Sequence, residues 1–98
     1  MIALQKLNLL VESYPDSELD SLVTKLLDVV LGQYRLRMQR YARELHDFES
    51  RYELASPAFY RRFEAGELGD AADFFEWAGL YELREDLARK IERMETAA

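Results

Sequence analysis

Two groups of side chains in this chain have types and spacings that invite chemistry. Arg40 lies six residues before His46, the only histidine. On one helix, that pair offers a cation for a phosphate and a group that moves protons near neutral pH, the minimum for cleaving a phosphodiester. Glu64, Glu67, Asp70, Asp73 and Glu76 recur at every third residue. Such a density of carboxylates suggests a cation site or a surface for a basic partner. The chain has no cysteine, which excludes thiol chemistry and a disulfide framework.

Each group also has a plainer reading. The Arg40–His46 spacing formally matches the Arg-x(4–6)-His pattern of helical ribonucleases of the HEPN class, but that pattern rests on two residue types. Glu44, Asp47 and Glu49 flank His46 and would repel an RNA phosphate. We therefore read His46 as a helix histidine paired with a carboxylate, and expect no enzymatic activity. The five acids lack the alternating Asp/Asn loop with its central glycine that wraps calcium, and no His or Cys accompanies them, so no metal and no cofactor are expected.

What remains is an acidic, aromatic surface. From Phe63 to Leu83 the chain carries six acids and no Lys or Arg, interleaved with Phe63, Phe74, Phe75, Trp77 and Tyr81. Asp70 suits a helix N-cap and Asp73 the position three residues on. That leaves Glu64, Glu67, Glu76 and Glu82, with Tyr60, Phe75 and Tyr81, as candidate partner-binding residues. Charge would steer the encounter and the aromatics would supply affinity.

Helices must position these residues. After Pro15, Asp16 or Ser17 can cap a helix that meets no further proline until Pro57. Its apolar series runs Leu19, Val23, Leu26, Val30, Tyr34, Met38, Tyr41, Leu45, Phe48, Tyr52, at steps of three and four. A helix over 17–53 would be about 55 Å long, longer than the ~30–35 Å diameter that suits a compact chain of this size. We expect a second chain to cover the seam at Tyr34, Met38, Tyr41, Leu45, Phe48 and Tyr52, or else a break near Gly32. Arg35, Arg37, Arg40 and Arg43 point in different directions around that helix, so they suit ion pairs with a neighbouring helix better than one phosphate-binding stripe.

Ser56-Pro57 reads as N-cap and first residue of a short helix over 57–65, with Gly66 in the left-handed position after it. A last helix follows over 71–95. Residues 1–14 fit both helical and alternating patterns. A short helix is the better fit, either closing the core or exchanged between subunits. The expected fold is all-α: long antiparallel helices joined by a short helical elbow, forming a hairpin or bundle completed by dimerisation, in one domain of 98 residues.

Charge and composition narrow the partners. The formal charge is −6, which disfavours nucleic acid. Apolar runs are short and interrupted by charge, so no membrane span is expected. The opening MIALQKLNLLVESYP lacks a basic start and small-residue cleavage site, which points to a cytoplasmic protein.

The run Phe48-Glu49, Arg51-Tyr52, Ser56, then Phe59 through Asp70 (FYRRFEAGELGD) and Asp73 through Leu83 (DFFEWAGLYEL) resembles a family of small helical prokaryotic proteins. The dense part covers about a third of the chain, and the first fourteen residues lie outside it. Pro57 stands where the family pattern leads one to expect a polar residue. Members are similar to antitoxins and are encoded beside small toxin-like proteins. The resemblance implies an antitoxin-like, homodimeric protein-binding module that docks a basic toxin; it supplies no catalytic residue. A structural or adaptor coiled-coil dimer without a toxin partner is the alternative.

Overall fold

The computed structural model, which describes residues 2–97, contains four helices: α1 (Ala3–Ser13), α2 (Asp16–Tyr52), α3 (Ser56–Glu64) and α4 (Ala72–Ala97). The described residues contain no strand. The fold is all-α, with two long helices joined by a short helical elbow. α2 runs unbroken for 37 residues. Gly32 lies within it and does not end it, since one glycine weakens a helix by only about 1 kcal/mol relative to Ala. The molecule measures 57 × 24 × 18 Å, its long dimension close to the ~55 Å length of that helix.

Local signals set the ends of these helices. Pro15, rather than Asp16 or Ser17, is the N-cap of α2; its carbonyl accepts from the Leu19 N–H at 2.9 Å. Asp16 and Glu18 occupy the first turn, where the helix dipole favours acids. At the other end Glu53 adopts φ 51°, and the Leu54 N–H reaches back to the Glu49 carbonyl. The same closure ends α3. There Gly66 takes φ 72°, and the N–H groups of Gly66 and Glu67 donate to the carbonyls of Phe63 and Arg62. Both are Schellman endings. Gly66 meets the left-handed requirement without strain, whereas Glu53 adopts it with a Cβ present.

The expected cap at Ser56 is corrected. α3 begins at Ser56 with Ala55 in the N-cap position and no side-chain cap bond. The Ser56 N–H instead donates to Glu49 Oε2 at 2.8 Å, so the last turns of α2 supply the acceptor. The Ser56 hydroxyl is thereby free to turn inward, where it accepts from Trp77 Nε1 at 2.9 Å. Asp70 and Asp73 are corrected as well. α4 starts at Ala72, and the Asp73 carboxylate accepts from Arg51 and Tyr52 instead of closing a capping box.

These bonds surround a small core. Phe59 and Trp77 are fully buried and lie face to face, with ring centroids 3.7 Å apart and planes 4° from parallel. Phe48 and Tyr52 stack on Trp77 from α2 at 5.6 and 5.7 Å. Leu45 and Ala78 complete the buried cluster, and Leu54, Phe63, Leu68 and Leu80 pack around it. α4 then runs back antiparallel along α2 until Glu95 reaches Arg35 at 3.7 Å.

α4 runs along the expected dimer seam. Leu45 is buried, Phe48 and Tyr52 stack on Trp77, and Tyr34, Met38 and Tyr41 are half-buried on the same side. The 26 residues of α4 span about 39 Å, long enough to cover that part of α2 from within the chain. Before Leu31, no residue of α2 is buried. α1 does not close the core, because it is helical but buries none of its residues.

Candidate functional site

The candidate partner-binding residues divide between the two flanks of α4. On one flank, Tyr60 of α3 meets Tyr81 and Glu82 of α4. The two tyrosine rings are 4.8 Å apart, and the Tyr60 hydroxyl donates to Glu82 Oε1 at 2.5 Å. With Glu85, Asp86 and Arg89 these residues line a dent of about 300 Å³. Asp86 and Arg89 are hydrogen-bonded to each other. The carboxylates of Glu64 and Glu82 beside the phenol hold its proton and raise its pKa. Glu67 lies apart at the end of α3, 3.5 Å from Arg62. Glu64, Glu67 and Glu82 therefore have local roles that limit what they can offer a partner.

Phe75 and Glu76 belong to the other flank, where α2 and α4 enclose a larger groove of about 580 Å³. Phe48, Phe75, Leu80 and Leu83 form its apolar lining, and Glu44, Asp47, Glu76 and Arg51 its polar rim. Phe75 and Leu83 are 57% and 53% exposed despite their size. Phe75 is held edge-on against Phe63 at 5.4 Å, so it projects from a fixed base. Gly79 lies between them with nothing within 4 Å of where a Cβ would stand. A helix that carries a larger side chain there would fill the groove; this one leaves it open.

Charge at the groove is one-sided. Arg51, the rim's one cation, is occupied: its Nη1 donates to Asp73 Oδ2 at 2.7 Å and its guanidinium lies over the Phe48 ring. Tyr52 donates to the same carboxylate oxygen at 2.6 Å. The hydroxyl of Tyr52 and then the guanidinium of Arg51 hold Asp73 below its ordinary value of 3.8. Tyr52 is itself raised from 10.0, chiefly by that bond to Asp73. Glu44, Asp47 and Glu76 are thus left facing the groove without an ion-pair partner among the described residues.

Reasoning from sequence found Phe75 and Glu76 but missed Glu44, Asp47, Gly79, Leu80 and Leu83. A signal existed: Glu44, Asp47 and Arg51 recur at steps of three and four, which places them along one edge of the α2 seam. It becomes meaningful only once α4 is known to lie beside that edge.

The arrangement offers little to the other chemistries. Arg40 and His46 line one open depression on α2, together with Arg43, Glu44 and Asp47. No residue of another helix lines it, so nothing excludes water or fixes a substrate against them. His46 Nε2 is 3.4 Å from Ser50 Oγ, and Arg40 stands over the Tyr41 ring. Of the four arginines on this stretch, Arg35 meets an acid, Glu95 of α4. Among the described residues no three His, Asp or Glu side chains converge to hold a metal ion, and no helix is long and apolar enough to cross a membrane.

Comparison with known proteins returns nothing at a significant level: no family matches, nor does any curated protein or solved structure.

Proposed function

We propose that the protein is an antitoxin-like binding module whose α2–α4 groove receives an amphipathic, basic helix of a small partner protein. The observation that carries this reading is the groove itself. Two large apolar side chains, Phe75 and Leu83, stand half exposed beside a gap at Gly79, under a rim of acids that have no ion-pair partner among the described residues. An apolar anchor from the partner would enter at Gly79, while Lys or Arg on its flanks would meet Glu44, Asp47 and Glu76. Helix-in-groove recognition works by such a division of labour: apolar anchors supply affinity, and charge supplies encounter rate and orientation. The resemblance to antitoxin-like proteins makes a basic, toxin-like protein encoded beside this chain the first partner to try.

Co-expression with that neighbour should yield a complex that co-purifies. Gly79→Leu, which fills the groove, and the double reversal Glu44→Lys with Glu76→Lys should each abolish it and leave the helical circular dichroism unchanged. A complex indifferent to both changes would remove the groove from consideration, and no complex at all would remove the toxin-like partner.

A second reading, an adaptor whose long helix is itself the interaction surface, is favoured by the exposed apolar side chains Leu22, Leu26 and Val29 in the first half of α2. Under it, groove variants are silent in cells and changes on α2 are not.

A further inference from the structure

The groove accounts for one uncovered apolar surface; α2 carries another, on its outer face. Glu18, Leu22, Leu26, Val29, Gln33, Leu36 and Arg40 follow one another at steps of 4, 4, 3, 4, 3 and 4, the spacing that keeps side chains on one stripe of a supercoiled helix. The stripe lies about 165° around the helix from the line through Leu31 and Leu45 that faces α4. Its apolar members are uncovered: Leu22, Leu26, Val29 and Leu36 are 39, 59, 58 and 68% exposed. Glu18 and Arg40, at its two ends, have no ion-pair partner among the described residues.

We infer that two copies of this chain associate antiparallel along this stripe, with the twofold axis passing beside Val29. The order of residues is what selects a second copy as the occupant. Leu22 and Leu36 each lie seven positions from Val29, and Glu18 and Arg40 each lie eleven positions from it. An antiparallel copy therefore sets Val29 on Val29, Leu22 on Leu36 and Glu18 against Arg40, the last two pairs occurring twice. Leu26 falls opposite Gly32, which has open space where its side chain would be. Gln33 falls opposite Lys25, so the polar residue within the stripe meets a polar one. A parallel alignment would instead set Glu18 on Glu18 and Arg40 on Arg40, and like charges across an interface oppose association. Such a contact is isologous, closing at two copies with no free end. The overlap from Glu18 to Arg40 is about 33 Å, roughly three heptads.

Sedimentation of the full chain at high micromolar concentration should give twice the chain mass. The protein has no cysteine, so introduced ones report geometry directly. Val29→Cys should cross-link to a covalent dimer under mild oxidation. Glu18→Cys and Arg40→Cys should cross-link readily when the two variants are mixed, and poorly when each is alone. Val29→Glu, at a site exposed in the single chain, should weaken association by about 100-fold or more with Trp77 fluorescence unchanged. Gly79→Leu should leave the dimer intact, which separates this interface from the groove. A monomeric wild type overturns the inference. So does a dimer indifferent to Val29→Glu, or one in which Glu18→Cys cross-links alone as well as it does with Arg40→Cys.

Discussion

The two ends of the molecule use similar residues to opposite effect. The elbow, from Leu45 to Leu87, buries Leu45, Ser56, Phe59, Trp77, Ala78 and Leu87. The stretch from Ile2 to Val29 buries none, although Leu, Val and Ile are frequent there. Amphipathic pattern is present in both. The difference is cover. At the elbow three helices converge, and Trp77 has Phe59 on one side and Phe48 and Tyr52 within stacking distance. At the other end α2 extends past the region α4 covers, and α1 meets it near the turn without burying a residue. An apolar stripe becomes core only where a second element lies against it. The elbow therefore holds the core, and the N-terminal stretch is almost all surface.

That contrast can be pressed experimentally, and the largest effect should come from its centre. Trp77→Ala should destabilise the protein by about 3–5 kcal/mol in chemical denaturation. Leu22→Ala, at an exposed site, should change the stability of the single chain by no more than about 0.5 kcal/mol. Comparable losses at the two sites would mean that the N-terminal half is packed after all. Ser56→Ala comes next. It leaves the buried Trp77 Nε1–H without its acceptor, which should cost about 1–3 kcal/mol. A neutral result would show that water or another group replaces the hydroxyl.

The smallest effect is a dependence on pH. Asp73 has a folded pKa below its ordinary 3.8. Its contribution is thus present above that value and lost as pH falls through the folded pKa. Tyr52 and Tyr60 are shifted upward from 10.0, so their contribution is complete below pH 10 and lost as pH rises through the folded values. Thermal melts across pH should show a shallow acid step that Asp73→Asn removes. An unaltered acid step in that variant would reassign it to other carboxylates.

Much of the fold was legible. Pro15, Pro57 and Gly66 separate the helices by local chemistry that needs no tertiary contact, and the apolar steps of three and four fix which side of α2 seeks cover. The candidate site was less legible. Glu64, Glu67, Glu76 and Glu82 look equivalent in sequence because they share charge and regular spacing. Packing separates them, giving Glu82 to Tyr60, Glu67 to Arg62 and Glu76 to the groove. Glu44 and Asp47 join Glu76 from more than 25 residues away, a juxtaposition that no local pattern carries.

The sequence by itself determined the long helices, the breaks at Pro15 and Gly66 and the apolar line of α2, because these follow from backbone and side-chain preferences within a few residues. Only the tertiary structure decided what covers that line. α4 lies along the Tyr34–Tyr52 seam and the elbow locks it there through Trp77, Ser56 and Asp73. Burial depends on where a distant segment of chain comes to rest, and seam, groove and open stripe are distinguished by that alone.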